Sequence, residues 1–197
     1  MFISIDGANG VGKTTISKLV YEKLQQKYDK VFLTKEPTNS NIGQFIKNLE
    51  NIEEYKGYPL AHLILADRHH HINQIKENLN DGYIVISDRY IASSLVYQVL
   101  DGIDIEEILK LNVNFKKPDI YFFITMSQDK IKENLKKREN LTRFETNNIL
   151  QKELKLFDNA KNILEKHNFN CINIKNEILD DSVKLILNQI NKTYNKT

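Results

Sequence analysis

The chain is poor in the residues and segments that mark disulfide-bonded, membrane-spanning and low-complexity proteins. It has one cysteine and three prolines in 197 residues, and no apolar run is long enough to cross a bilayer. A lone Cys171 excludes an internal disulfide and fits a reducing compartment, where it is expected to be a buried structural thiol. No signal peptide or internal repeat is recognisable. We therefore expect a cytoplasmic protein with no membrane partner.

An excess of charge of one sign is also missing. The 28 basic and 26 acidic residues leave a net charge of only +2. A protein that binds nucleic acid in bulk usually has a strongly basic face, so we expect no nucleic acid as a partner. The length suits one α/β domain with a substantial core, and we predict a single domain over residues 1–197.

Apolar strand-like runs alternate with amphipathic segments along the chain. The runs are Phe2 to Ile5, Val31 to Thr34, Tyr83 to Ser87, Ile120 to Thr125 and Cys171 to Ile174. The helical segments are 16–28, 42–49, 61–79, 93–100, 105–111, 129–137, about 147–167 and 181–193. This alternation predicts a five-stranded parallel sheet with helices on both faces. Functional side chains are then expected at the carboxyl ends of the strands.

The first strand leads into "IDGANGVGKTT", which fits the pattern G-x-x-x-x-G-K-[ST]. Glycines let such a loop curl so that its N–H groups face inward, and the helix N-terminus behind it adds partial positive charge. A chance glycine turn is the alternative, but the flanking strand and helix favour a phosphate loop and a P-loop NTPase three-layer fold. We predict that Lys13 binds the ATP β/γ-phosphates and that the Thr14 hydroxyl binds Mg²⁺. The ATP-binding residues are then Gly7, Ala8, Asn9, Gly10, Val11, Gly12, Lys13, Thr14 and Thr15.

The third strand ends in "DRY", and Asp88 therefore follows an apolar run. A carboxylate in this position, opposite a phosphate loop, is typical of an Mg²⁺-associated aspartate, although a simple turn Asp is the alternative. Arg89 comes next, and its guanidinium is suited to bidentate binding of a second phosphate. A surface salt bridge is the other interpretation of Arg89.

Positive charge is concentrated again between the fourth strand and the long helix that follows it. Lys136, Lys137, Arg138 and Arg143 lie in or beside "KKRENLTRFE". Charge runs are usually solvated faces. Phosphoryl transfer, however, develops charge on the equatorial oxygens and is assisted by cations, including mobile ones. We therefore interpret residues of about 136–146 as a lid.

The ordered motifs resemble those of the thymidylate kinase family, whose members phosphorylate dTMP with ATP. The similarity covers "DGANGVGKTT", "TKEPT", "ADRHHHI", "SDRYIASSLVYQ", "KPDIYFFIT" and "RENLTRFE" in that order. The phosphate loop alone is shared by many unrelated NTPases, and the "DRY…S…YQ" set is far more specific. The resemblance implies a cytoplasmic, Mg²⁺-dependent homodimer with ATP as co-substrate and dTMP as acceptor.

Site residues follow from the resemblance position by position. It implies that Asp88 lies near the metal and the acceptor phosphate, and that Arg89 binds that phosphate. It also implies that Arg68 contacts the edge of the base, and that the Tyr97 ring would crowd a ribose 2′-OH. This phosphate loop has no arginine, and family members of that type place the catalytic arginine in the lid, where Arg143, supported by Arg138, fits. The acceptor-binding positions are Glu36, Pro37, Ile64, Arg68, Arg89, Ser94, Tyr97 and Gln98.

Three departures from the family pattern concern the acceptor and the phosphate loop. Ile64 stands where the family commonly has a phenylalanine that stacks on thymine. "KEPT" replaces the usual "REPG", and Asn9 stands where many bacterial members carry an acid. The acceptor is therefore either thymidylate in a reshaped pocket or a related deoxynucleotide.

Two other functions remain as alternatives to a dTMP kinase. One is a deoxynucleoside kinase or a kinase for a modified nucleotide, for which Glu36 would act as the base near the 5′-OH. The other is a regulatory P-loop NTPase, which would need no acceptor pocket. The run His69, His70 and His71 predicts a surface stripe with one packed member, because three consecutive helical positions face three directions and do not form a metal site.

Overall fold

A five-stranded parallel sheet forms the centre of the molecule in the computed structural model, which describes residues 1–139, 141–145 and 147–194. The strands are β1 (Phe2–Gly7), β2 (Val31–Lys35), β3 (Ile84–Asp88), β4 (Ile120–Thr125) and β5 (Cys171–Lys175). Their order is β2-β3-β1-β4-β5, and all four pairings are parallel. The predicted α/β sheet is therefore confirmed, with β4 at the bounds expected from sequence.

Helices cover both faces of this sheet. They are α1 (Lys13–Gln25), α2 (Asn41–Leu49), α3 (Tyr58–Asn80), α4 (Ile91–Leu100), α5 (Ile105–Asn112), α6 (Gln128–Lys136), α7 (Asn147–Lys166) and α8 (Leu179–Tyr194). Helices α1 and α8 pack against each other on one face, whereas α3, α4 and α7 lie together on the other. β1, β3 and β4 are buried on both sides, which explains why they are nearly continuous apolar runs.

Several helix boundaries differ from those expected from apolar spacing alone. Helix α1 begins at Lys13, three residues before Ile16, because its N-cap Gly12 has a left-handed φ of 89° that turns the chain from loop to helix. Helix α3 begins at Tyr58, since Pro59 occupies its first turn, where a missing N–H does no harm. A short 3₁₀ helix at Glu53–Tyr55 was not predicted.

Burial in the structure can be compared with the expectations for the histidine run and for Cys171. His71 is fully buried while its two histidine neighbours are exposed, as predicted for a stripe with one packed member. No cluster of metal-ligating side chains occurs within the described residues. Cys171 is only partly buried, so the expectation of a buried thiol is wrong in degree. Burial and nearby Glu165 raise the pKa of this thiol to about 12, which leaves it a poor nucleophile. The helices were also compared with the requirements for a membrane span. None of the described helices combines the length and the apolar character needed to cross a membrane.

Candidate active site

A cavity of about 400 Å³ opens beside the phosphate loop at the carboxyl ends of β1, β2 and β3. The parallel register sets Ile5 level with Asp88, and Asp88 level with Lys35, so the segments that follow these strands meet at one edge. All predicted acceptor residues line this cavity: Glu36, Pro37, Ile64, Arg68, Arg89, Ser94, Tyr97 and Gln98. Asn9, Thr14 and Asp88 line it as well, so the cavity adjoins the loop.

The phosphate loop is tightly enclosed by its neighbours. A Cβ on Gly7 would lie 2.3 Å from the Ile124 carbonyl oxygen, and one on Gly12 would lie 2.9 Å from Nδ2 of Asn176. Both glycines have positive φ, so glycine is required there for space and for conformation. The Gly10 and Val11 carbonyls accept bonds from Asn134 and Asn176. These contacts and the two glycines define the shape of the loop.

Lys13 lies inside this loop rather than on its surface. Its side chain is buried, and Nζ donates to the Ala8 carbonyl at 2.6 Å. Burial and the Arg89 guanidinium lower the pKa of Lys13 to about 7, although Asp88, Asp6 and Glu153 oppose them. An anion that arrives in the loop would favour the charged amine.

Thr14 and Asp88 form a direct contact at the mouth of the loop. The Thr14 hydroxyl donates to Oδ2 of Asp88 at 2.6 Å. The other carboxylate oxygen, Oδ1, is buried and has no hydrogen-bond partner among the described residues. A buried oxygen without a partner is costly unless a ligand, ion or water completes it.

Arg89 connects the phosphate loop with the acceptor cavity. Its backbone has a φ of 77°, a left-handed conformation that is uncommon outside glycine, directly after β3. Nη2 donates to Oδ1 of Asn9 at 2.7 Å, and Nη1 donates to the Ser93 and Tyr97 hydroxyls. The turn is held by buried Asp6, whose carboxylate accepts from the Tyr90 amide, from Ser93 and from other neighbours.

Glu36 and Arg68 form a buried ion pair at the far side of the cavity. Arg68 donates twice to Oε2 of Glu36, once to Asn112 and once to the Tyr90 carbonyl. His71 Nδ1 lies 3.0 Å from the other Glu36 oxygen. Burial alone would raise the pKa of Glu36, but Arg68 and His71 outweigh it and hold that pKa below its usual value. The carboxylate is therefore ionised and fully engaged.

The wall of the cavity also includes apolar side chains. Ile46, Leu60 and Ile64 line it, and Phe144 and Tyr97, whose rings lie 5.0 Å apart, are the aromatic residues of its wall within the described chain. Gln98 is 3% exposed, and its Oε1 has no hydrogen-bond partner among the described residues. This acceptor in an apolar wall suits a ligand that presents an N–H group.

The two predicted lid arginines do not lie at the phosphate loop in this structure. Arg143 binds the Asp101 carboxylate through both terminal nitrogens, and its Nε donates to the Glu50 carbonyl. Arg138 pairs with Glu145. The lid interpretation includes positions 140 and 146, which lie outside the described residues. Arg143 thus closes the rim between the ends of α2 and α4, and only Arg138 of the pair lines the cavity.

Three buried polar residues of the site were missed from the sequence. Asp6 supports the Arg89 turn, Asn112 accepts from Arg68, and Glu153 on α7 accepts from the Asn9 amide at 2.8 Å and from the Tyr97 hydroxyl at 2.7 Å. Asp6 carried a usable signal, because it is a carboxylate in an otherwise apolar strand. Glu153 and Asn112 sit in amphipathic helices among other polar residues, so nothing local distinguishes them.

The chain is similar in sequence to known proteins over most of their length. The profile of the family described as "Thymidylate kinase" matches residues 5–186. A "Probable thymidylate kinase" of Methanococcus aeolicus is 35% identical over 192 residues, covering 96% of this chain and 95% of the relative. A "Thymidylate kinase" of Caldicellulosiruptor saccharolyticus is 36% identical over 183 residues, covering 89% and 88% of the two chains.

Solved structures agree with the sequence comparison. Thymidylate kinase of Candida albicans superposes with a TM-score of 0.79 at 22% identity, over 100% of this chain and 93% of the other. That of Ehrlichia chaffeensis gives a TM-score of 0.69 at 26% identity, over 96% and 98%. The fold is thus shared, and with the profile match and the relatives above 30% identity, the chain belongs to the thymidylate kinase family.

Proposed function

We propose that this chain phosphorylates dTMP to dTDP, with the phosphate loop as the ATP site and the adjoining cavity as the acceptor site. The chain is a nucleoside monophosphate kinase that transfers the ATP γ-phosphoryl group to the acceptor monophosphate. One observation carries the assignment of the two sites. Arg89 is bonded to Asn9 of the loop while it lines the cavity, so one guanidinium lies between donor and acceptor.

The donor side needs little movement of the protein. Backbone N–H groups of residues 10–14 and the N-terminus of α1 suit the triphosphate. Helix α1 has no side-chain cap, so no capping side chain occupies its first N–H groups. Lys13 is suited to the β/γ-phosphates, since proximity to these anions would stabilise its charged form. The motif supports ATP as the co-substrate.

Mg²⁺ fits the pair formed by Thr14 and Asp88. The unpartnered Oδ1 of Asp88 and the Thr14 hydroxyl are oxygen ligands of the kind this cation prefers. When bound, Mg²⁺ neutralises charge on the phosphates. The pairing of Thr14 with Asp88 holds both oxygens at the mouth of the loop, where the triphosphate is expected.

The acceptor side suits a pyrimidine deoxynucleoside monophosphate. The Arg89 guanidinium would hold its phosphate, and the buried Oε1 of Gln98 would accept from the N3–H of thymine. Cytosine presents an acceptor at N3, so this contact disfavours it. Ile64 and its apolar neighbours suit the 5-methyl group. Arg68 suits the O4 edge, because one hydrogen of its Nη1 has no acceptor among the described residues.

The lid completes the catalytic set in this proposal. Arg143 would leave Asp101 and offset charge on the transferring phosphoryl group, and Arg138 would support it, together with Lys13, Asp88 and Arg89. Residues 136–146 form this lid within one kinase domain of residues 1–197. Helix α7, which follows the lid, is anchored to the phosphate loop through Glu153, so movement is expected on the lid side of α7.

The alternative of a deoxynucleoside kinase is disfavoured by Glu36. A general base needs a free carboxylate with a raised pKa, whereas Glu36 is bound by Arg68 and His71 and its pKa is lowered. A regulatory NTPase is disfavoured by the presence of an acceptor-sized cavity beside the loop.

Assembly and location are further parts of the proposal, supported by family membership. We expect a cytoplasmic homodimer that uses no nucleic acid as a partner. Sedimentation equilibrium at micromolar concentration would give twice the chain mass of 23.1 kDa. A mass of one chain over the whole concentration range would remove the dimer from the proposal.

A substrate panel tests the proposed function. ATP and Mg²⁺ are combined with dTMP, dUMP, dCMP, ribothymidylate and thymidine, and ADP release is measured with and without each acceptor. We expect the highest kcat/KM for dTMP, little activity with thymidine, and loss of turnover in Lys13→Ala with the fold retained. Preference for thymidine would establish the nucleoside kinase, and acceptor-independent hydrolysis would establish the regulatory NTPase.

A further inference from the structure

Glu153 is a buried carboxylate that the proposed chemistry does not use. It lies on α7 and is 1% exposed, and no lysine, arginine or histidine pairs with it among the described residues. Its Oε1 accepts instead from two neutral donors, the backbone N–H of Asn9 at 2.8 Å and the Tyr97 hydroxyl at 2.7 Å. Lys13 interacts with this carboxylate only through its charge, without a direct ion pair, and burying a carboxylate in that way is expensive, so the contact calls for a functional explanation.

Both donors hold the same guanidinium. Asn9 accepts from Nη2 of Arg89 at 2.7 Å, and the Tyr97 oxygen accepts from Nη1 of Arg89 at 3.2 Å. The Tyr97 hydroxyl can accept from Arg89 in this geometry because its own proton is donated to Glu153. Glu153, Asn9, Arg89 and Tyr97 therefore form a closed ring of contacts. Glu153 sets the direction of the Tyr97 contact to Arg89 by taking the hydroxyl proton, and it fixes the backbone of Asn9, whose side-chain Oδ1 accepts from Arg89.

The ring fixes which edge of Arg89 faces the acceptor. Ser93 and Tyr97 engage Nη1, and Asn9 engages Nη2. Nε and the second hydrogen of Nη2 have no protein partner within the described part of the chain, and together they suit the bidentate recognition of a phosphate. A freely rotating guanidinium would lose conformational freedom on binding, whereas this one is already ordered.

We propose that Glu153 is a positioning residue, which orients Arg89 for the acceptor phosphate through Tyr97 and Asn9. The carboxylate that contacts the phosphate loop at Asn9 comes from α7. Glu153 also keeps the Tyr97 proton away from the sugar, because a hydroxyl that donates to Glu153 cannot donate to a ribose 2′-OH. The inference rests on the proposed function.

Steady-state kinetics and calorimetric titration of four variants test this role. Glu153→Ala removes the acceptor, and Glu153→Gln keeps an accepting oxygen at the same reach. Glu165→Gln is the matched control, since Glu165 lies on the same helix and pairs only with Lys161 within the described residues. The double variant Asn9→Asp, Glu153→Ala restores a carboxylate to the loop, next to Arg89.

Glu153→Ala should raise KM and Kd for dTMP about 10- to 100-fold, the range for a lost hydrogen bond to a charged group, while KM for ATP changes about threefold or less. Glu153→Gln and the double variant should recover most of this loss, and Glu165→Gln should match the wild type. The kcat/KM ratio of dTMP to ribothymidylate should fall in Glu153→Ala, because Tyr97 can then donate to a 2′-OH. A purely structural role would lower the melting temperature and affect both substrates alike, with no change in the sugar ratio.

Two results would overturn the inference. One is a wild-type KM for dTMP in folded Glu153→Ala, and the other is an equal loss for dTMP and ATP without recovery in the double variant. If the alanine variant does not fold, Tyr97→Phe, which removes the hydroxyl between Glu153 and Arg89, must show the selective effect on dTMP instead, and its absence would reject the proposal. Failure of the wild type itself to bind dTMP would reject the proposed function, which separates the two conclusions.

Discussion

Arg143 provides a decisive test of the lid, because its resting partner is known. It is held by the Asp101 carboxylate through two terminal nitrogens, one of them at 2.6 Å, and by the Glu50 carbonyl. The Asp101 and Arg143 side chains are only 2% and 15% exposed, so the ion pair is largely shielded from solvent. If Arg143 acts on the transferring phosphoryl group, this pair has to separate during each turnover.

The expected effects of changing each partner are therefore opposite in kind. Arg143→Ala removes the cation and should lower kcat by about 10³-fold or more, on the scale of arginine fingers, with little change in substrate affinity. Asp101→Asn keeps an acceptor of the same shape but weakens the hold on Arg143 by about 1–2 kcal/mol, since charge-assisted bonds are roughly twice as strong as neutral ones. That change favours release of the lid about 5- to 30-fold, so kcat should be maintained or increased.

Steady-state kinetics with dTMP and ATP at saturation, and titration of each substrate, distinguish the outcomes. Asp81→Asn is the control, because Asp81 is an exposed residue at the end of α3. The double variant Asp101→Asn, Arg143→Ala should behave as Arg143→Ala alone. Similar losses of kcat in Asp101→Asn and Arg143→Ala would mean that the ion pair itself is what matters, and the catalytic role of Arg143 would be rejected.

Three further predictions concern binding. Burial and Arg89 lower the pKa of Lys13 to about 7, so ATP binding should be coupled to the uptake of about one proton at pH 8 and of far less at pH 6. Calorimetry in buffers of different ionisation enthalpy measures the proton uptake, and an uptake that does not vary with pH contradicts the prediction. Ile64→Phe should tighten dTMP binding by restoring base–aromatic contact, as seen by titration, and weaker binding in a folded variant would mean a pocket built for isoleucine. Tyr97→Ala should lower the kcat/KM ratio of dTMP to ribothymidylate, while Tyr97→Phe keeps it above one; an unchanged ratio in Tyr97→Ala would exclude Tyr97 from sugar recognition.

The fold could be predicted because its signals are local. Each strand is a largely apolar run bounded by turn residues. A strand that is buried on both faces, such as β4, has no alternating polar positions, so its bounds can be recognised from the run itself. The errors lie where a boundary depends on backbone conformation rather than apolar spacing. Gly12 begins α1 three residues before its first apolar residue, and Pro59 begins α3 before the apolar stripe.

The location of the site could be predicted for the same reason, but its internal partners could not. The phosphate loop and the Asp88–Arg89 pair each lie on one short segment, and parallel strands bring such segments together. Glu153 and Asn9 are 144 residues apart, and Arg143 and Asp101 are 42 apart. Which of many polar side chains becomes the partner depends on the packing of whole helices, which no local pattern records.

The arginines of the site and Lys13 divide into two groups by their partners. Arg68, Arg138 and Arg143 each have a carboxylate, whereas Lys13 and Arg89 form no ion pair within the described residues and bond to neutral groups instead.

A phosphate that approaches Lys13 or Arg89 has no carboxylate to displace, so these two cations suit binding in the ground state. Arg143 has to exchange one anion for another, and we expect this exchange to be most favourable in the transition state, where charge is spread over the equatorial oxygens of the phosphoryl group. The same division explains why we expect changes around Arg89 to alter KM and changes at Arg143 to alter kcat.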